Sequence, residues 1–213
     1  GLRETLYREM VGRVKPDDSS VPYLENGYWY YTRYEKGRDY PLYCRRQGSL
    51  KAAEKVLLDG NRMAAGEKYF QIGSIAVSPD NAILAYSVDT VSRRQYRIRF
   101  RDLRSGRDLA DEIRMTAGRM AWAADSRTIF YPVIDPDTLR SYKVCRHRLG
   151  SPAAADAAVY EEKDETFDVG IGLSRSRRFL LLSSRSTLSD EYRFLDAARP
   201  EGEFTVFQPR SRG

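Results

Sequence analysis

The chain has 213 residues, with 36 lysine and arginine residues against 30 aspartate and glutamate residues, and a formal net charge of +6. Its hydrophobic fraction of 41% and mean hydropathy of -0.61 are typical of a soluble globular protein. Apolar runs such as residues 179–182 are far shorter than the roughly 18 residues that a membrane span requires. We therefore expect no membrane association. Without a secretory signal, we expect a cytoplasmic protein, and since residue 1 is glycine we expect its native start to lie upstream.

The scarcity of cysteine and histidine limits the kinds of catalytic and metal-binding site that this chain can contain. Cys44 and Cys145 are too few for a disulfide scaffold or a four-thiolate zinc site, and we expect both to be reduced. His147 would have to be the base of any Ser-His-Asp triad, and no G-x-S-x-G nucleophile elbow occurs. The phosphate-binding motifs G-x-x-x-x-G-K-[ST] and G-x-G-x-x-G and the zinc motif H-E-x-x-H are also absent. We expect no catalytic, cofactor-binding or metal-binding residue in this chain.

Residues 1–20 predict a helix followed by a linker. An apolar stripe with i, i+4 and i, i+7 spacing runs through Leu2, Leu6, Tyr7, Met10, Val11 and Val14. Pro16 ends this pattern. Because so short a helix is marginal alone, it must dock either on the rest of this chain or on a second domain outside it.

Four segments share one layout of a strand, a polar turn and a second strand. The turn residues Glu25, Asp80, Asp125 and Ser176 are spaced by 55, 45 and 51 residues, and six positions after them come Tyr31, Tyr86, Tyr131 and Leu182. A second marker, Tyr40, Tyr96, Tyr142 and Tyr192, is spaced by 56, 46 and 50 residues. A period near 50 with short strands predicts propeller blades, each a four-stranded antiparallel sheet. We interpret the tyrosines as packing residues with solvated hydroxyls.

The second segment shows the four strands most clearly. They are predicted at residues 72–78, 82–88, 96–101 and 109–113, with a Pro-Asp-Asn turn at residues 79–81 and a Ser-Gly turn at residues 105–106. Val77, Ala85 and Ile98 are expected to pack within the layers of the blade. The sequence thus predicts an all-β fold in which residues 21–213 form a partial β-propeller. Its blades lie at about residues 21–60, 70–114, 117–162 and 167–208.

The third strand of the second blade is rich in arginine. The cations are Arg93, Arg94, Arg97, Arg99, Arg101, Arg104 and Arg107, and the nearby carboxylates are Asp102, Asp108, Asp111 and Glu112. Such a strand would suit nucleic-acid phosphates, with binding that weakens in salt. Because the carboxylates compensate the charge, we favour a solvated or ion-paired strand face and expect no nucleic-acid partner.

Two further groups have both a functional and a structural interpretation. Cys145 and His147 share a strand face and with Cys44 would supply three metal ligands, but the two cysteines belong to non-adjacent blades. We therefore favour a hydrogen-bonded His147.

An acidic run joins the third and fourth blades, at Glu161, Glu162, Asp164, Glu165 and Asp168. We favour a solvated loop over a surface that steers basic peptides towards a peptidase cavity.

Several segments together carry a family resemblance. In chain order they are GRVKPDDSSVPYLENGYWYYTRYEKGRDYPLYCRR, AYSVDTVSRRQYRIRFRDLRSG, WAADSRTIFY, RSYKVCRHRLGS, YEEKDETF and SSRSTLSDEYRFL. They resemble successive parts of the amino-terminal propeller of the oligopeptidase B group, in the prolyl oligopeptidase family of serine peptidases. Each segment alone is a loose match, whereas their ordered agreement along nearly the whole chain is specific.

The resemblance implies a seven-bladed propeller that covers a carboxyl-terminal α/β-hydrolase domain holding the Ser, Asp and His. About four of those blades would belong to this chain, and no position of the triad falls within it. The resemblance also implies that the parent protein cleaves short peptides after Arg or Lys. We accordingly expect this chain to be inactive alone.

We expect the chain to be the non-catalytic, substrate-gating propeller portion of a serine oligopeptidase. Its partners would be the hydrolase domain of the same protein and short basic peptides. The alternative is a stand-alone propeller-like scaffold that binds a protein or a nucleic acid through its basic strand. Since four blades shaped for a seven-fold ring cannot close, we expect open terminal blade faces through which copies self-associate.

Overall fold

The computed structural model describes residues 1–211 and confirms the all-β class, with a short helix at the amino terminus. The chain divides into two compact units, the first spanning residues 1–66 and the second beginning at Glu67.

The first unit contains one blade. Its elements are α1 (Leu2–Gly12), β1 (Tyr23–Glu25), β2 (Tyr28–Arg33), β3 (Leu42–Gln47), β4 (Glu54–Asp59) and α2 (Gly60–Met63). The four strands form an antiparallel sheet in the order β1-β2-β3-β4. Asn26 and Gly27, at φ 46° and 80°, connect β1 to β2. An Asn-Gly pair suits this two-residue hairpin because both positions need positive φ.

Helix α1 does not pack on its own blade, so that alternative for its docking is wrong. Every residue of α1 is exposed, including Leu2 at 76% and Met10 at 69%. The helix is held locally by an i, i+4 ion pair between Arg8 and Glu4 at 2.9 Å. It ends at Gly12, before Pro16, because glycine is a poor helix former. The apolar stripe of α1 therefore has no cover within the first unit.

The second unit contains three blades. Their strands are β5 (Gln71–Val77), β6 (Ile83–Asp89), β7 (Tyr96–Asp102), β8 (Asp108–Thr116), β9 (Ala121–Trp122), β10 (Thr128–Ile134), β11 (Ser141–Arg148), β12 (Ala157–Glu161), β13 (Asp168–Leu173), β14 (Phe179–Arg185), β15 (Asp190–Asp196) and β16 (Thr205–Gln208). A 3-10 turn at Ala153–Ala155 precedes β12. Within each blade the strands pair in chain order. One further pair, Val133 with Thr116, joins β10 to β8.

The β5–β6 hairpin confirms the predicted turn at residues 79–81. The Asn81 N–H donates to the Ser78 carbonyl at 2.8 Å, and Asn81 has φ 63°. Asparagine tolerates this left-handed backbone conformation better than most residues. Ala85 and Ile98 are fully buried and Val77 is half-buried, so the predicted layer assignments also hold.

The core of the second unit lies between the faces of successive blades. Ile98 and Phe100 of the second blade pack with Trp122, Ile129 and Tyr131 of the third. A second cluster joins the third and fourth blades through Phe130, Val144, Val169, Ile171, Leu180 and Leu182. Because alternate residues of a strand point to opposite faces, β10 supplies Ile129 and Tyr131 to one cluster and Phe130 to the other. Face-to-face stacking of small antiparallel sheets is the architecture of a propeller.

We predict that Ile98→Asp unfolds the second unit. It places a carboxyl group without a partner in a fully buried apolar layer, and this costs several kcal/mol, which is comparable with the stability of about 5–15 kcal/mol of a domain. Ile98→Val is the matched control, with an expected loss of about 0.5–1.5 kcal/mol. Urea unfolding followed by circular dichroism measures both. An Asp variant as stable as the Val variant would show that Ile98 faces solvent.

Candidate functional site

The first three blades repeat one polar contact between their second and fourth strands. A tyrosine hydroxyl donates to a carboxylate at or just before the start of the fourth strand: Tyr31 to Glu54 at 2.5 Å, Tyr86 to Asp108 at 3.0 Å and Tyr131 to Asp156 at 2.8 Å. The tyrosines are those of the sequence repeat. The expectation of solvated hydroxyls is wrong for Tyr86 and Tyr131, which are buried and bonded to a carboxylate, whereas Tyr31 is half-buried. The fourth blade has Leu182 at this position and so cannot make the contact.

A basic side chain from the third strand completes each contact. Arg46 Nε donates to Tyr31 Oη at 2.8 Å, Arg101 Nε donates to Asp108 Oδ1 at 2.7 Å, and His147 Nδ1 lies 2.8 Å from Asp156 Oδ1. Burial, with the nearby Asp108 charge, raises the pKa of Tyr86 to about 12. Burial and the hydrogen bond to Asp156 also raise the pKa of Tyr131. These hydroxyls stay protonated and serve as structural hydrogen-bond donors.

The structure places His147 inside a blade, as a hydrogen-bonded residue. Its ring is fully buried, with Nε2 lying 3.2 Å from Asp111 Oδ1 and Nδ1 bonded to Asp156. Burial raises the pKa of the Cys145 thiol and raises that of Cys44 to about 11. Within residues 1–211 no group of three His, Cys, Asp or Glu side chains has a metal-ligating arrangement.

Part of the basic strand is ion-paired, as favoured from the sequence. Arg101 pairs with Asp108, and Arg99 Nε lies 3.6 Å from Glu112 Oε2. The predicted compensation is thus made by cross-strand neighbours in β8. Arg94, at the start of the same arginine-rich stretch, has a different environment and belongs to the cleft described below.

Glu162 departs from both interpretations of the acidic run, because it is buried. It accepts hydrogen bonds from Ser184 Oγ at 2.6 Å and Tyr160 Oη at 2.8 Å, and it pairs with Arg210. Although burial raises the pKa of Glu162, hydrogen bonds from Ser184, the Asp164 N–H, Tyr160 and Arg210 outweigh it and lower the pKa below its usual range. Glu162 is therefore a structural anion and does not steer peptides in solution.

A cleft opens in the second unit where its three blades meet, and we call it the inner-strand cleft. It has a volume of about 570 Å³ and is lined by Arg94, Tyr96, Ala117, Arg119, Pro132, Ile134, Leu139, Ser141, Asp168, Val169, Gly170, Ser183 and Arg185. A second hollow of about 480 Å³ shares Tyr96, Ala117 and Arg119 with it and extends along β5 to Gly73. The cleft lies at the ends of the second strands β10 and β14 and beside the start of the first strand β13.

Two of the cationic side chains are mounted on rigid backbone. The buried Asp89 carboxylate accepts the N–H groups of Val91 and Arg94, both at 2.8 Å, and so fixes the β6–β7 hairpin. Before Arg119, the Gly118 carbonyl accepts Ser87 Oγ at 2.7 Å. Gly118 has φ 82°, and a Cβ there would lie 2.7 Å from the Tyr96 ring, so only glycine fits.

The lining of the cleft combines guanidinium, hydroxyl and carboxylate groups. It includes Ser141, Ser183 and Asp168. Its guanidinium groups are suited to carboxylates and phosphates. Sequence reasoning did not single out Arg119 or Arg185. Arg119 is one exposed cation in the link between two blades, a position that the repeat pattern does not distinguish.

Comparisons with known proteins agree with this geometry. All 213 residues, 1–213, match the family model of the prolyl oligopeptidase N-terminal beta-propeller domain. The dipeptidyl aminopeptidase BI of Pseudoxanthomonas mexicana is 46% identical over 99% of this chain and 31% of its own length. Protease 2 of Moraxella lacunata is 31% identical over 99% of this chain and 31% of its own length. The structure of oligopeptidase B from Leishmania major has a TM-score of 0.92 and 31% identity, covering 100% of this chain and 30% of that one.

The fold and these matches define a propeller domain of the peptidase class. The chain belongs to the prolyl oligopeptidase family, which confirms the resemblance of its segments. It spans about a third of the length of the relatives it matches. Within residues 1–211, no helix has the length and apolar character needed to cross a membrane.

We predict that Glu162→Gln lowers the free energy of unfolding by about 1–3 kcal/mol at pH 7, because it removes the buried charge that four donors satisfy. The pKa of Glu162 is lower in the folded chain than the ordinary value of 4.5. Its stabilisation is therefore complete above about pH 4.5 and is lost as the pH falls through the lower folded-state pKa.

Urea unfolding of the wild type and the variant at pH 7 and at pH 3 measures this difference. The neighbouring, exposed Glu161→Gln is the matched control and should stay within about 0.5 kcal/mol of the wild type. An equal gap between the wild type and Glu162→Gln at both pH values would contradict the assigned role.

Proposed function

We propose that this chain is the non-catalytic, substrate-admitting part of a serine oligopeptidase propeller. The inner-strand cleft carries this proposal, since its lining has cationic and hydroxyl groups for binding and no histidine to serve as the base of a serine nucleophile. A narrow channel at the blade axis admits short, unfolded peptides and excludes folded proteins by size. The contribution of the chain is then selection of substrates rather than bond cleavage.

The uncovered face of α1 supports a partner domain in the same protein. Its stripe includes Leu2, Leu6 and Met10, which are 76%, 48% and 69% exposed. Apolar side chains in such a row gain free energy when they leave water. We propose that the α/β-hydrolase domain of the full-length protein covers this stripe and supplies the nucleophile, the base and the oxyanion donors.

The outer face of the fourth blade supports further blades. Leu180 and Leu182 of β14 face the third blade, whereas Phe179 and Leu181 point to the opposite side. There Phe179 packs edge-on against Phe194 at 5.5 Å, and Leu181 stays 36% exposed. Every residue of β16 is also exposed. We propose that the next blade of a seven-bladed ring covers this face, and that copies associate through it when that blade is missing.

Short peptides cleaved after Arg or Lys are the substrates we propose for the full-length protein. The names of the relatives support a peptidase, and the match to Leishmania major oligopeptidase B supports this group within the family. We also propose a cytoplasmic location. The scaffold alternative is not favoured, because ion pairs with β8 neutralise Arg99 and Arg101 of the basic strand.

We predict that the 213-residue chain gives no turnover of Arg or Lys p-nitroanilide peptides, since it lacks a nucleophile with an adjacent base. The full-length protein encoded by the same reading frame should hydrolyse them and lose activity with a serine-directed inhibitor. Absorbance of released p-nitroaniline measures both. Inhibitor-sensitive turnover by the purified chain alone, or a full-length protein without peptidase activity, would refute the proposal.

A further inference from the structure

The residues that line the inner-strand cleft carry an excess of positive charge. It is lined by three arginines, Arg94, Arg119 and Arg185, and by one carboxylate, Asp168. Asp168 Oδ1 already accepts the Ser141 N–H at 3.1 Å. Like charges that line one cleft without compensation raise the local concentration of anions.

The arginines differ in how far they are already paired. Arg185 donates to Tyr192 Oη, and its Nε lies 3.8 Å from Asp190 Oδ2. The guanidinium groups of Arg94 and Arg119, by contrast, have no hydrogen bond or ion pair to any of residues 1–211. Both side chains are exposed. Two free guanidinium groups therefore stand on the rigid backbone fixed by Asp89 and Gly118, ready to bind an anion.

Part of the lining of the cleft is apolar, which suits a peptide better than a bare ion. This part consists of Pro132, Ile134 and Leu139, of which only Leu139 is more than slightly exposed. A carboxylate attached to an apolar residue satisfies both surfaces, with paired N–H···O bonds from guanidinium and contact between side chains. Inorganic phosphate would pair with the guanidinium groups but would make no contact with the apolar surface.

We propose that the inner-strand cleft binds a carboxylate of a short peptide through Arg94 and Arg119, while an apolar side chain of that peptide packs on Pro132, Ile134 and Leu139. The assignment of the ligand as a peptide rests on the proposed function. The site would select peptides by an anionic group. This selection would be independent of any recognition of a basic residue at the bond that is cleaved.

The test uses fluorescence anisotropy with the 213-residue chain and a tetrapeptide ending in leucine, labelled at its amino terminus with an uncharged dye. The free acid is compared with the carboxamide of the same peptide. We expect the acid to bind about tenfold more tightly, as a charge-assisted hydrogen bond contributes more than a neutral one, and to weaken as salt is added. Equal binding of acid and amide would overturn the proposal without any substitution.

Arginine variants then locate the site. Arg119→Gln and Arg94→Gln should each weaken binding of the acid about tenfold and leave the amide unchanged. Arg104→Gln removes the same charge from an exposed arginine outside the cleft and should bind like the wild type. Near-ultraviolet circular dichroism verifies packing in each variant. Acid binding that is unchanged in both cleft variants would overturn the assignment to this site.

Two further binding measurements identify the anionic group that the cleft recognises. A carboxamide tetrapeptide with an internal glutamate tests whether a side-chain carboxylate suffices, and binding only by the free acid assigns the peptide terminus. Tighter binding of inorganic phosphate than of the peptide acid would overturn the peptide assignment. Because binding is measured on the chain alone, a full-length protein without peptidase activity would refute the proposed function and leave this result intact.

Discussion

The hydrogen bond from a second-strand tyrosine to a fourth-strand carboxylate is the constraint on which the first three blades depend. In a blade of four short strands, the fourth strand lies at the outer edge and has few ladder hydrogen bonds. The tyrosine contact links it to the second strand as well. Tyr131 reaches across the third strand to Asp156 at 2.8 Å, with His147 closing the contact from between. Tyr131 and His147 are buried, and both bond to the Asp156 carboxylate. This shared partner fixes the register of the second, third and fourth strands of the blade. The stacked faces can then pack in only one arrangement.

Blade stacking in turn produces the cleft. The first strands differ in length, and β9 has only two residues. The link before β9 places Arg119 at the cleft, next to Gly118, and the β6–β7 hairpin, which Asp89 fixes, places Arg94 there. A rigid set of links with unpaired cations is suited to selecting a ligand. Bond cleavage needs a nucleophile and a base, which the proposed function assigns to an α/β-hydrolase domain.

Sequence reasoning was most successful where local chemistry decides the structure. The turn at residues 79–81 and the burial of Ile98 follow from turn propensity and alternation, and the structure confirms both. It failed where partners come from distant positions. The Tyr131 hydroxyl meets a carboxylate 25 positions away, and Glu162 meets Arg210 at a separation of 48. Arg119 shows the same limit, because its role depends on three blades meeting around it. The repeated tyrosine is recognisable in the sequence. Its partner is Glu in the first blade and Asp in the next two, so the pairing does not appear as a sequence repeat.

Replacement of Tyr131 by phenylalanine tests this central constraint most directly. The variant keeps the ring and removes only the hydroxyl that donates to Asp156, whose side chain is buried. Tyr142→Phe in the same blade is the matched control, because the Tyr142 hydroxyl has no hydrogen-bond partner among residues 1–211. Urea unfolding should show a loss of about 1–3 kcal/mol for Tyr131→Phe and a change within about 0.5 kcal/mol for Tyr142→Phe. Equal stability of the two variants would contradict the account.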